Sequence, residues 1–409
     1  MMRRVVITGA GNISSLGHDW PSVHASLRAR KNGVRAFDDW SVYKGLNTRL
    51  GVPAQPFELP EHYNRKNTRS MGRVALMATR ASELALIDAG LFGDPLVKSG
   101  RMGISYGSSA GTPASMSDFG RMVVEKNTQT INATTYIKMM SHTAPVNLGV
   151  FLGVTGRIIT TSSACTSGSQ GVGYAYETIR AGLQTAMLAG GAEELDVTDA
   201  AVFDTLFATS TRNDTPELTP RPFDVDRDGL VIGEGASTLL LEDLEHAQAR
   251  GARIYAEIVG YGTNSDGLHV TQPNAETMAV AMRLALADAC LAPEAIGYVN
   301  AHGTATEHGD IAETTATHQV FGERMPISSL KSYTGHTLGA CGALEAWVAV
   351  EMMRAGWFAP TLNLDRIDPR CGALDYVTGE GRVLETEFVM SNNFAFGGIN
   401  TSLIFRRWP

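Results

Sequence analysis

Short apolar runs rich in valine and isoleucine alternate along this chain with longer segments in which apolar residues return every three or four positions. The first pattern predicts buried strands and the second predicts amphipathic helices. Strands are predicted in RVVITG, RMGISY, IITTSS, TAMLAGG, STLLLED, IYAEIVGYG, GYVNAHG and PISSLKS. Helices are predicted in MGRVALMATRASELALIDAG, VGYAYETIRAG, TMAVAMRLALADAC and GALEAWVAVEMMRAG. The last of these is apolar on nearly every face apart from Glu345 and Glu351, so it is expected to run through the interior. Such alternation predicts an α/β fold with largely buried strands. No low-complexity linker or charge block divides the chain. A soft seam lies near EHAQARGARIYAEIVG, where a second β-rich series begins as the first does at RRVVITGAG. Two similar halves are therefore expected, residues 1–250 and 251–409, with little residue identity between them.

The first half carries a cysteine where a nucleophile belongs. Cys165 ends a β-branched stretch, and the small residues Thr166, Ser167 and Gly168 then open a helix. A helix N-terminus favours the thiolate, so a lowered thiol pKa is expected there. The second half carries two histidines in similar settings. His302 follows an apolar strand beside Gly303, Thr304 and Thr306, and His336 follows a strand read as bearing Lys331. Reactive groups in α/β sheets collect outside the carboxyl ends of strands, so the three turns are expected to meet in one crevice. The remaining histidines, among them His62, His142, His269 and His318, read as structural.

Composition narrows the possibilities. With 409 residues, 44% hydrophobic and 19% charged, the chain reads as an ordinary globular protein with a large core. A net charge of −8 gives no bulk attraction to nucleic acid or to an anionic membrane. Cys165, Cys290, Cys341 and Cys371 form no C-x-x-C pair, which argues against a zinc knuckle or disulfide framework and fits a cytoplasmic setting. The start turns glycine-rich before a signal-peptide core forms, and no apolar run approaches the roughly 18 residues of a membrane helix.

Five blocks then carry a family resemblance. SSACTSG, NAHGTAT followed by GD, KSYTGHTLGACGALE, RPFDVDRDGLVIGEGA and SNNFAFGGIN resemble the signature blocks of the 3-oxoacyl-[acyl-carrier-protein] synthases, elongating type I and II, over essentially the whole chain. The resemblance implies a thiolase-like fold, two βαβαβαββ halves in a five-layered α-β-α-β-α body. It implies that Cys165 takes an acyl group from the 4'-phosphopantetheine arm of acyl carrier protein. His302 and His336 would stabilise the enolate formed when malonyl-acyl carrier protein loses carbon dioxide, and the carbanion would lengthen the chain by two carbons. Backbone N–H groups of Cys165 and Phe396 would form the oxyanion hole. Lys331 would organise the charge around His336, joined by Glu345, and Thr304 and Thr306 would bind the pantetheine arm. Neither metal nor other cofactor is implied. The partners implied are acyl carrier protein and a second subunit, either a copy of this chain or a chain-length-factor-like homologue.

Departures from the family pattern point to chain selection. Ala395 stands where glycine is usual between Phe394 and Phe396, so a stiffer gating loop is expected. Leu230 replaces an aromatic residue, Tyr333 replaces methionine, and Ala110 replaces the isoleucine that narrows the acyl pocket across the dimer interface. A longer or stiffer chain, such as a polyene, is the expectation. Three motifs compete with this reading. TGAGNISSLG imitates a dinucleotide loop but lacks the acidic residue about 20 positions on. Gly107-Ser108-Ser109-Ala110-Gly111 matches a hydrolase elbow with Ser109 as nucleophile. Asp224, Arg227 and Asp228 could suggest a metal loop, and read better as an ion-paired loop beside the site.

Overall fold

The computed structural model describes residues 2–409. Each predicted strand and helix is present. In the first half β1 (Val5–Ile13), β2 (Met102–Gly107), β3 (Ile158–Thr161), β4 (Ala186–Glu193) and β5 (Gly235–Asp243) carry helices α1 (Arg73–Asp88) and α2 (Ser167–Arg180). In the second, β6 (Ala256–Ser265), β7 (Ile296–Asn300), β8 (Pro326–Ser328), β9 (Phe388–Ala395) and β10 (Ile399–Arg407) carry α3 (Ala275–Ala289), α4 (Glu307–Phe321) and α5 (Cys341–Ala355).

The strand order repeats. From the outer edge inward the first half runs β3-β2-β4-β5-β1, and the second runs β8-β7-β9-β10-β6. In each, the first three strands are parallel and the last two are antiparallel additions. The halves join where β1 pairs antiparallel with β6, Val5 opposite Ile258, giving one hydrogen-bonded sheet of 11 strands with a two-residue edge strand, Asp375–Tyr376. Helices α2 and α5 pack on each other and between the two sheet halves, while α1 covers one outer face and α3 the other. This is the five-layered arrangement expected.

Residue pattern explains the layering. Ala343, Leu344, Trp347, Val348 and Val350 of α5 are all buried, and so are its two glutamates. Burying each large apolar side chain contributes about 1.5–3 kcal/mol, and the middle helices α2 and α5 bury a larger share of their residues than the outer helices α1 and α3. The outer helices approach their strands through glycine. A Cβ on Gly11 would lie 2.0 Å from the Ala81 carbonyl oxygen of α1, and one on Gly262 would lie 2.2 Å from that of Ala281 in α3. The TGAG sequence thus serves close helix–strand packing, which is why it imitates a dinucleotide loop.

Candidate active site

Three turns at the carboxyl ends of strands bring Cys165, His302 and His336 together. The Cys165 sulfur and one nitrogen from each imidazole all lie within 4.8 Å of one another. Cys165 sits in a 3-10 turn, Ala164–Thr166, between β3 and α2, and Ala164 is held in the left-handed region at φ 49°. Non-glycine residues take such a conformation only where surrounding structure imposes it, so the elbow is strained. His302 follows β7 directly. His336 lies beyond a short helical turn, Lys331–Thr334, so Lys331 stands on that turn and not on the strand as read from sequence.

Both imidazoles have an assignable proton. The Leu338 N–H donates to Nδ1 of His336 at 3.2 Å, leaving the proton on Nε2, which is 3.0 Å from the Cys165 sulfur. For His302, Nδ1 faces the Asn393 amide nitrogen at 3.4 Å, and that amide also donates to Glu345 at 2.7 Å. A carboxylate only accepts, so the amide orientation is fixed and Nε2 of His302 carries the proton too. Both pKa values lie well below the ordinary imidazole range because the rings are buried and Lys331 adds a nearby positive charge. The site therefore presents two neutral N–H donors.

Lys331 makes a buried ion pair with Glu345, and the hydrogen-bonded path continues through Asn393 to His302. Its charge acts on both rings, but its bonded path serves His302 rather than His336. Asn393 was missed in the sequence because it lies within a quoted block with no chemistry of its own. Glu313 was missed for a similar reason. It accepts the backbone N–H groups of His302 and Gly303, each at 2.7 Å, and burial pushes its pKa up to about 8.

The thiol departs from expectation. Cys165 is only 4% exposed, and burial pushes its pKa up to about 11 despite Lys331 and the backbone N–H groups of Phe396 and Cys165 that favour the anion. Desolvation outweighs the helix terminus, so the resting sulfur is a thiol. Alkylation of Cys165 by iodoacetamide in the unliganded protein, followed at that residue by mass spectrometry because Cys290 is exposed, is expected to keep rising between about pH 8 and about pH 10. A rate that levels off near the free-thiol value of about 8.5 would contradict this.

A cavity of ≈ 610 Å³ opens onto Cys165, lined by Phe203, Leu230, Thr304, Thr306, Phe394 and Phe396 among others. The hydroxyls of Thr304 and Thr306 are 2.9 Å apart. Phe394 meets His302 edge-on at 6.3 Å, and Phe396 lies against Phe203 at 5.1 Å. Ala395 does not adopt positive φ; Gly397 (88°) and Gly398 (69°) do, so the alanine ends β9 without strain. The stiffening argued from its φ does not arise. Ala110 is half-buried and lies outside this cavity. Arg227 pairs with Asp368 at 2.7 Å and donates to the Thr306 and Glu307 carbonyls, clamping the His302 loop, while Asp224 pairs with Arg221 and Asp228 with Arg212. The loop is ion-paired, Asp224 and Asp228 with arginines of the same stretch and Arg227 with Asp368 from outside it. Ser109 has no histidine; its hydroxyl and its N–H both donate to Glu193.

Comparison with known proteins decides the family. The model of the beta-ketoacyl synthase N-terminal domain matches residues 2–247, and that of the C-terminal domain matches residues 255–365. The chain belongs to the beta-ketoacyl synthases. It is similar to 3-oxoacyl-[acyl-carrier-protein] synthase 1 of Haemophilus influenzae, 39% identical over 100% of both chains. Synthase 2 of Vibrio cholerae is 37% identical over 99% of both. Among solved structures, a beta-ketoacyl synthase from Burkholderia phymatum matches with TM-score 0.99 and 60% identity over 100% of both chains. The ishigamide ketosynthase/chain length factor matches at 0.90 and 32%, again over 100% of both chains. A type II polyketide synthase acyl-carrier protein in complex with its ketosynthase bound to the hexaketide matches at 0.89 and 29%, over 100% of both. The fold is thiolase-like, and the activity is the decarboxylative condensation that extends acyl chains in fatty acid or polyketide synthesis. No helix among the described residues is long and apolar enough to cross a membrane.

Proposed function

We propose that this beta-ketoacyl synthase stores the growing acyl chain on Cys165 and makes the enolate against His302 and His336. The observation that carries the reading is the convergence of that sulfur with two imidazoles whose Nε2 atoms hold protons. The Cys165 sulfur attacks the thioester of an acyl group borne on the 4'-phosphopantetheine arm of acyl carrier protein, and its proton ends on the departing pantetheine thiol. The family relatives named as acyl-carrier-protein synthases, and the carrier protein seen with its ketosynthase, support this partner. A malonyl thioester then enters, with Thr304 and Thr306 holding its arm.

Loss of carbon dioxide places charge on the malonyl thioester oxygen, where the two Nε2–H groups donate. The carbanion attacks the acyl thioester, the backbone N–H groups of Cys165 and Phe396 hold the oxyanion, and the sulfur leaves as the 3-oxo product forms. Residues 1–250 supply the nucleophile and residues 251–409 the histidines. The second subunit, a copy of this chain or a chain-length-factor-like homologue, would pair along outer strand β3, where Ile158 is 42% exposed. Ala110 would then enlarge the partner's acyl pocket. A longer or stiffer chain, such as a polyene, is the substrate this favours, and extension of saturated chains as fast as unsaturated ones would refute that preference.

Purified protein loaded with acyl-carrier thioesters is expected to gain one acyl group on Cys165, located by mass spectrometry. Acylation of Ser109 with Cys165 untouched would overturn the reading.

A further inference from the structure

The repeated topology aligns the two halves residue by residue at the strand ends. Gly107 of β2 faces Gly191 of β4, and Asn300 of β7 faces Ser391 of β9. Two residues on from each, Ser109 matches His302 and Glu193 matches Asn393. The turns that open α2 and α5 match as well, since Ala164 (φ 49°) and Leu338 (φ 44°) are both left-handed and precede Cys165 and Gly339. Ser109 and Glu193 of the first half therefore form, with Gly339 from the second, a counterpart to the working cluster in which His302 and Asn393 of the second half meet Cys165 from the first. It has no thiol and no imidazole. What it retains is a buried carboxylate with an unusual number of donors.

Glu193 is 1% exposed, and burial raises its pKa against the opposing effect of these donors. It accepts the Ser109 N–H at 2.7 Å, the Ser108 hydroxyl at 3.0 Å, the Ser109 hydroxyl and the Gly339 N–H at 3.0 Å. The Gly339 contact leaves no slack, since a Cβ there would lie 2.8 Å from the carboxylate and 2.8 Å from the Ser109 nitrogen. The adjoining residue is Leu338, whose N–H fixes the tautomer of His336. One carboxylate thus ties the loop after β2 to the turn that aims the second imidazole.

We propose that Glu193 is a positioning residue for His336, holding Gly339 so that the Leu338 N–H keeps the Nε2 proton directed at the enolate oxygen. The inference rests on the role given to His336 above. Glutamine can reproduce the contacts, its oxygen accepting both N–H groups while its amide donates to the Ser108 hydroxyl; alanine cannot.

The test separates the two partial reactions. In E193A the release of carbon dioxide from malonyl-acyl carrier protein is expected to fall about a hundredfold, as for a group displaced by about 1 Å, while acyl transfer to Cys165 stays within a few-fold. E193Q is expected to restore most of the decarboxylation. Equal loss in both reactions, in step with a lowered melting temperature, would mean simple bracing and overturn the proposal, as would full decarboxylation in E193A. Should E193A not fold, E193D is read in its place, since aspartate keeps the charge but stops short of Gly339. H336A is the control: if it decarboxylates normally, the role of His336 itself is wrong, independently of Glu193.

Discussion

Exchange of Cys165 for serine is expected to slow chain extension by at least about 10³-fold, the scale on which loss of a covalent nucleophile is felt. The geometry explains why a hydroxyl cannot substitute. A serine would need a base to remove its proton, and the nearest nitrogen is Nε2 of His336. That nitrogen already carries a proton, because the Leu338 N–H occupies Nδ1. His302 is tied in the same way through Asn393. No base faces the nucleophile from either ring, and only a group acidic enough to ionise with help from Lys331 and two backbone N–H groups can work. Extension by C165S at the native rate, followed as 3-oxoacyl product from defined acyl and malonyl carriers, would remove the basis for covalent storage.

Replacing either histidine by alanine is expected to lower malonyl decarboxylation by about 10² to 10³, the usual effect of deleting one donor to a developing oxyanion. Transfer of the first acyl group to Cys165 should survive, since the oxyanion hole proposed for that step is made of backbone N–H groups. Because both rings are held neutral well below the ordinary imidazole range, decarboxylation by the native protein should show no histidine-linked loss between about pH 8 and about pH 6. The sign follows from the mechanism: a ring with depressed pKa keeps its single Nε2 proton through that window and gains no second one. A decline centred near about pH 6.5 in carbon dioxide release would show that the rings titrate like free imidazoles.

Much of this was readable along the chain. Valine- and isoleucine-rich runs marked the strands because buried parallel strands need apolar side chains on both faces, and Gly9, Gly11, Gly260 and Gly262 repeat because both halves pack a helix onto their first strand. Cys165 and both histidines stood out as candidates since each follows a strand and precedes small residues that clear space for a ligand. What did not show were the residues that act through others. Glu193, Glu313 and Asn393 are ordinary polar side chains in sequence, separated from their partners by 10 to 146 positions.

The sequence by itself determined the α/β class and singled out Cys165, His302 and His336 as candidates, since strand periodicity and side-chain reactivity are local properties. Only the tertiary structure decided the protonation of that site. Burial raised the thiol that a helix terminus was expected to acidify, one backbone N–H and one asparagine amide chose the imidazole tautomers, and Lys331 found its bonded route to His302. Desolvation and hydrogen bonding depend on what surrounds an atom in space, and those neighbours come from segments that the chain order keeps far apart.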